Sequence, residues 1–438
     1  MTGGRPVAAV APPLRRELGL IPLAAIVFFN VSGGPYGSED VVASFGPGLA
    51  LCLLILTPLL WSLPVALAMS ELASAMPHEG GYVAWTGRAF GPFWAFQVGW
   101  WSWIDSFVDV AVYPALFVEY AAYWIPGMMP LPRWLLALAF IVLLTALNVL
   151  GVRPVGRAAV ALAVAALLPV VALVIVGFAT AKTVPWMPFA QEGQTLGAGL
   201  GLGLAVVMWN YSGWDTPAMC LGETRGPERA YRHAVLLALP VIVAAYVLPT
   251  AAAASAGIPA ASWTTGALPA LATAVGGSWL GHAVAAGAVV STAGLFLSLL
   301  LTNSRLPYVL AAQGMLPRVL GTVDAAGRAP RVAVLVSAAC YAAFAAFSFK
   351  ELIVLNVWLY SLSLLVELAA FLYLRVADPT LHRPWRVPGG LAIAVLVAAV
   401  PAAVSLLAMA TAGWTNTVAG VVAALTGPLA YVAMRRRY

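Results

Sequence analysis

Charge is what this chain has least of: 16 acids and 22 bases make up 9% of its 438 residues, against 62% hydrophobic. A soluble domain of that length and composition would aggregate, so the solvent that fits is a bilayer. Cysteine is equally scarce. Cys52, Cys220 and Cys340 fall in different segments without ligand spacing, which speaks against a disulfide framework or a metal cluster and for core packing. His78, His233, His282 and His382 lie in loops or near segment boundaries and form no H-E-x-x-H set. A membrane-embedded enzyme is therefore disfavoured, with no metal or cofactor expected. There is no cut site between the basic start MTGGRPVAAVAPPLRREL and the apolar segment that follows, so the first helix itself is expected to direct insertion.

What is present is an array of apolar runs, each long enough to cross about 30 Å of hydrocarbon. About twelve recur, at 18–45, 48–70, 92–124, 134–151, 158–180, 197–222, 233–254, 269–302, 331–349, 352–374, 390–411 and 414–433. With the N-terminus inside the cell, nineteen arginines face inward and only Arg133, Lys182 and Lys350 face out. That asymmetry makes the net charge of +6 topological rather than a nucleic-acid footprint, and places both termini in the cytoplasm, with the chain in the cell membrane.

Two runs interrupt themselves at matching depth. NVSGGPYGSEDVV (30–42) places Ser32, Gly33, Gly34, Pro35, Tyr36 and Gly37 near the middle of the first span, and MWNYSGWDTPAMC (208–220) places Ser212, Gly213, Asp215 and Pro217 in the sixth. Broken backbone at mid-membrane is tolerated only where it meets protein, water or a ligand. Glycine and proline also kink helices or let them pack closely, but paired breaks five spans apart predict a five-plus-five inverted repeat with a site between its halves. The expected organisation is a cytoplasmic segment 1–17, repeats at 18–181 and 196–375, two further helices at 389–434 and a tail at 435–438.

Acids without bases point to the cargo. Asp40, Asp105, Asp109, Glu119, Asp215 and Glu367 fall within predicted spans with Glu39 beside them, while Lys and Arg keep to span ends. A buried acid costs about 2.5–3.5 kcal/mol on insertion scales, so such groups are protonated, hydrated or matched by a cation from outside. Asp105 and Asp109, four residues apart, share one helix face and are expected to share a proton. Ser38, Glu39 and Asp40 also fit the start of a half-helix, where acids complement free amides, and Asp215 fits an N-cap. Glu223 fits the cytoplasmic end of the sixth span, solvated or forming a gate. Pro35 removes one amide from the first break, making it a poorer cradle for a carboxylate. Tyr36, Trp101, Trp103, Tyr113, Trp209, Tyr211, Trp214 and Tyr360 supply rings near these acids that could meet an ammonium group or simply pack.

The stretches VSGGPYGSED (31–40), ELASAMPHEGGYVAWTGRAFGPFWAFQVGW (71–100), DVAVYPALFVEY (109–120), WNYSGWD with GET (209–215, 222–224), AAQGMLP (311–317) and RPWRVPGG (383–390) resemble the amino acid, polyamine and organocation transporter superfamily. Within it, they are most similar to the polyamine uptake transporters of plants and protozoa and their bacterial relatives. The resemblance implies an all-α, LeuT-like membrane fold with broken helices one and six, alternating access, and Trp209 or Trp214 closing over bound substrate. Plant-type members tend to read W-N-x-N-Y-W-D where this chain has Ser212 and Gly213, and to carry acids near Leu299 and Asn303. A small diamine, a monoamine or an amino acid is thus as open as a long polycation. The expected substrate site comprises Ser32, Gly33, Gly34, Tyr36, Gly37, Asp109, Tyr113, Trp209, Asn210, Ser212, Trp214, Asp215 and Tyr360. Asp105, Asp109, Asp215 and Glu367 are the candidates for a coupling proton. Sodium is the alternative, through Ser291, Thr292 and Ser298. The leading function is import of a small organic amine, with an amino-acid exchanger or proton symporter second; oligomeric state is open.

Overall fold

A computed structural model describes residues 14–190, 206–345 and 349–435, apart from the side chains of 349–355 and 357. Arg5, the expected start of the second repeat at 196, the start of the sixth run at 197, the Lys350 side chain and residues 436–438 lie outside the described residues.

Among the described residues the regular structure is helical, with one isolated parallel bridge between Leu18 and Thr224. Hydrocarbon offers the backbone no hydrogen bonds, so apolar runs close their own as helices. Pro47, Pro92, Pro130 and Pro227 each stand in the first turn of a helix, where the missing N–H costs nothing. Among the described residues, eight helices are long and apolar enough to cross a membrane: Pro47–Ala75, Pro130–Val149, Val152–Ala179, Pro227–Ala254, Ser278–Ala312, Trp358–Ala377, Gly390–Thr411 and Trp414–Arg435. The other four expected runs fail that test for identifiable reasons. The first is interrupted between Leu20–Val31 and Glu39–Phe45, and the third between Pro92–Asp109 and Val112–Ala121. The sixth begins outside the described residues, and Arg331–Phe344 has only 14 residues. The run expected at 269–302 is also divided, because Gly277, at φ +84°, turns the short helix Leu268–Gly276 into Ser278–Asn303.

Ser278–Asn303 is the central post. It packs on Leu20–Val31, Val112–Ala121, Pro130–Val149, Val152–Ala179 and Leu268–Gly276. The apolar window of Ser278–Ala312 is 78% buried, that of Trp414–Arg435 only 11%, which sets the latter at the periphery. Lipid gives helices no hydrophobic reason to associate, so close approach through small residues does the work. At Gly294 a Cβ would run into the ring of Phe29, and this is what lets the first helix press on the post. Of the cysteines, Cys220 is buried as expected, while Cys52 and Cys340 are only half-buried.

Both breaks have their backbone satisfied. Gly33, Gly34 and Gly37 take φ of +78°, +113° and +86°, a region open to glycine. The Gly34 amide donates to Ser32 Oγ (3.0 Å) and that of Gly37 to Tyr120 Oη (2.8 Å), while the Gly33 carbonyl accepts from Ser291 Oγ (2.5 Å). At the second break Gly213 takes φ +90°, and a Cβ there would strike the Asn30 carbonyl. The two breaks therefore touch. Beyond the second, Thr216–Glu223 continues as a 3-10 turn instead of an α-helix.

At the arginine-rich end, two of the motif stretches meet. Glu71 Oε2 accepts the Val387 amide at 2.7 Å and its carboxylate lies 3.3 Å from Arg383 and 3.4 Å from Arg375. Ser74 Oγ donates to the Trp385 carbonyl at 3.1 Å, pinning RPWRVPGG across the bundle.

Candidate functional site

Where the two breaks meet, a buried cavity of about 40 Å³ opens, space for a few water molecules. Three carboxylates face it. Asp105 and Asp109 come from the last turns of Pro92–Asp109, and Asp215 from the end of the second break. No lysine, arginine or histidine is among its lining residues.

Each carboxylate is held by a neutral donor. Trp209 Nε1 donates to Asp109 Oδ1 at 3.1 Å, and the indole stacks on Tyr113 with ring centres 6.0 Å apart. Tyr360 Oη donates to Asp215 Oδ1 at 2.6 Å while accepting the Gly213 amide at 3.0 Å, so one hydroxyl ties an acid to a helix break. Asn356 Nδ2 spans Asp105 at 3.2 and 3.4 Å. Asp105 and Asp109 thus meet separate neutral partners, Asn356 and Trp209. Neutral donors orient a carboxylate without cancelling its charge.

Of the expected substrate residues, Ser32, Asp109, Tyr113, Trp209, Asn210, Ser212, Asp215 and Tyr360 line this cavity together with Asp105 and Gly213. Gly33, Gly34 and Gly37 lie in the first break but not on the wall. Tyr36 points away and donates to the Ala166 carbonyl at 3.1 Å. Trp214 is buried, its Nε1 on the Tyr211 carbonyl at 2.8 Å, which leaves Trp209 as the indole at the cavity. Pro217 also lies off the wall.

The acids of the first break turn elsewhere. Ser38 makes no side-chain cap and donates instead to the Pro35 carbonyl at 2.6 Å. Glu39 Oε1 accepts from Tyr120 Oη (2.9 Å) and the Leu268 amide (3.2 Å), and Asp40 Oδ2 from Thr265 Oγ1 (2.6 Å). They fasten the second half-helix to the loop before Leu268–Gly276. Glu119, expected within a span and unpaired, forms an ion pair with Arg133 at the opposite end from the arginine cluster. The break after Asp109 permits this by ending the straight helix early. Glu367 is buried off the cavity wall, and neither of its oxygens has a hydrogen-bond partner among the described residues.

Sequence reasoning missed Tyr82, Ser102, Ser106, Tyr246 and Asn356 on the wall. These are neutral polar residues, all but Tyr82 inside apolar runs. The only available signal was their phase: Ser102 and Ser106 lie three residues before Asp105 and Asp109 on one helix face.

The chain matches the model of the family described as amino acid permease over residues 18–434. Polyamine transporter RMV1 of Arabidopsis thaliana is 33% identical over 405 residues, covering 92% of this chain and 82% of its own. Polyamine transporter PUT1 of Oryza sativa subsp. japonica is 32% identical over 401 residues, 91% of this chain and 75% of its own. A probable polyamine transporter of Arabidopsis thaliana is 35% identical over 85% of this chain and 78% of its own.

Proposed function

The chain belongs to the amino acid permease family of membrane transporters, and from that premise we propose that it imports a small organic amine across the cell membrane. The observation that carries this is the set of three carboxylates around one buried cavity, each held by a neutral donor and none facing a basic side chain. An ammonium group supplies the missing charge, and the faces of Trp209 and Tyr113 attract it further by about 0.5–2 kcal/mol each. The amides that would cradle a substrate carboxylate are engaged at Gly34, Gly37 and Gly213, and Pro35 has none, which favours an amine over an amino acid. Leu299 and Asn303 on the wall favour a short diamine such as putrescine over a long polycation.

Transport proceeds by alternating access in a twelve-span, LeuT-like frame of two five-helix repeats and two further helices, with both termini cytoplasmic. A cavity of about 40 Å³ supports this reading, because its walls must part before an amine enters or leaves. The driving ion is a proton, carried on Asp105, Asp109, Asp215 or Glu367. Sodium is the alternative ion: Ser291 and Thr292 donate their hydroxyl hydrogens to the Gly33 and Val289 carbonyls and keep oxygen lone pairs, and Ser298 Oγ, the third candidate ligand, is buried with no hydrogen-bond partner among the described residues.

The test is radiolabelled putrescine uptake into proteoliposomes under an imposed pH gradient, with Asp109→Asn, Asp215→Asn and Glu367→Gln alongside. Uptake rises as external pH falls, and each variant loses most of it. Sodium-dependent, pH-indifferent uptake would reverse the choice of ion, and three unchanged variants would remove the site.

A further inference from the structure

On the arginine-rich side of the cavity the wall closes with a second cluster of charge that no step above uses. Arg305 and Glu223 form a two-pronged pair, Nε to Oε1 at 2.8 Å and Nη2 to Oε2 at 3.1 Å, with both side chains wholly buried. The pair bolts the turn Thr216–Glu223 to the helix Arg305–Ala312. The N-terminal segment is strapped over the same point: the Leu18 amide donates to the Glu223 carbonyl (3.0 Å) and the Arg225 amide to the Leu18 carbonyl (2.9 Å). Asn303, two residues before Arg305, already lines the substrate cavity, so this bolt is the next barrier on the way out.

Glu79, from the loop between Leu63–Ala75 and Gly81–Phe90, enters this barrier. Its carboxyl lies on Gly222, where a Cβ would collide with Oε2. It sits within the fields of Glu223 and Arg305, with its carboxyl within hydrogen-bond reach of the Glu223 carboxylate and the Gly222 amide. The charged and titratable groups around it are Glu223 and Cys220 on the 3-10 turn, Arg305 and Tyr308 on the following helix, and Arg16 and His78 at the vestibule that opens toward the arginine-rich end. With two carboxylates ionised against one guanidinium, the cluster buries a net negative charge, which costs several kcal/mol in a dry site. With one proton it is neutral.

We infer that Glu79 is a proton-binding site of the cytoplasmic gate: protonated, it seals the Arg305–Glu223 bolt, and losing its proton it drives the bolt open to water. The inference rests on the alternating-access reading above, though not on which ion drives uptake. Burial pushes the Glu79 carboxyl well above the usual carboxylate range and the Glu223 carboxylate pushes the same way, while Arg305 opposes them. The sign follows. The closed gate binds the proton more tightly than the open, hydrated one, so lower cytoplasmic pH favours closure and higher pH favours opening.

Cys220, buried beside Arg305 and Glu223, reports on the gate. With Cys52 and Cys340 changed to serine, an impermeant maleimide is applied to the cytoplasmic face of inside-out membrane vesicles, and the labelling rate of Glu79→Gln is divided by that of its parent at each pH. Removing the Glu79 charge by itself makes the nearby Cys220 thiol react faster, which raises the ratio, so a fall in the ratio reports closure of the gate. Glutamine imitates the protonated form, so the ratio stays near one at low pH and falls as pH rises, by about a factor of ten per unit of pH once the parent ionises. Glu79→Asp, which still titrates, keeps the parent's pH dependence. A ratio that does not fall at any pH overturns the inference and leaves alternating access standing; a Cys220 that never labels from the cytoplasmic face in the parent overturns both.

Discussion

Tyr360 shows how much one hydroxyl carries at the residue scale. It donates to Asp215 and accepts from the Gly213 amide, so Tyr360→Phe strips a carboxylate of its donor and leaves a buried amide unpaired. A hydrogen bond to a charged group contributes about 1.5–3 kcal/mol, and we expect putrescine to bind roughly tenfold or more weakly by calorimetry, with the fold intact. Trp209→Phe should cost less than Trp209→Ala, because phenylalanine keeps a ring against Tyr113 while it loses the bond to Asp109. Individual acids were legible here because charge in an apolar run stands out. Their partners were not. Asn356 reaches Asp105 across 251 residues, and Arg133 reaches Glu119 around the turn between two separate runs.

Among elements, the two breaks matter most. Gly213 combines a positive φ with contact on the Asn30 carbonyl, so Gly213→Ala strains the backbone and pushes the breaks apart. The strain alone is worth about 1–3 kcal/mol. The melting temperature in detergent should fall, whereas Gly314→Ala, also at positive φ but in open space, should lower it less. Both breaks were visible as clustered glycine and proline at mid-span. The third, after Asp109, has no glycine, and its signal is Pro114, which offers no N–H to the Val110 carbonyl four residues back and crowds it with its ring. Packing holds the two pieces apart: Val112–Ala121 lies on the central post while Pro92–Asp109 lies on Gly81–Phe90 and Phe349–Ala377.

Across the whole molecule, the Arg305–Glu223 bolt joins parts of the chain 82 residues apart. Removing one partner strands a buried charge, so Arg305→Ala should destabilise the protein by about 3–5 kcal/mol, and adding Glu223→Ala should recover part of that; thermal unfolding of the three variants tests it. Low charge, recurrent apolar runs and the arginine bias determined by themselves a membrane chain and its expected orientation, since transfer free energy and insertion depend on composition along the chain. The paired breaks added where a site should lie. Tertiary structure alone decided which acids share the cavity, which fasten loops and which pair with a buried arginine. Asp109, Glu39 and Glu223 look alike in sequence, and what separates them is the donor each meets: an indole, a tyrosine with a loop amide, or a guanidinium, all brought from distant segments by packing.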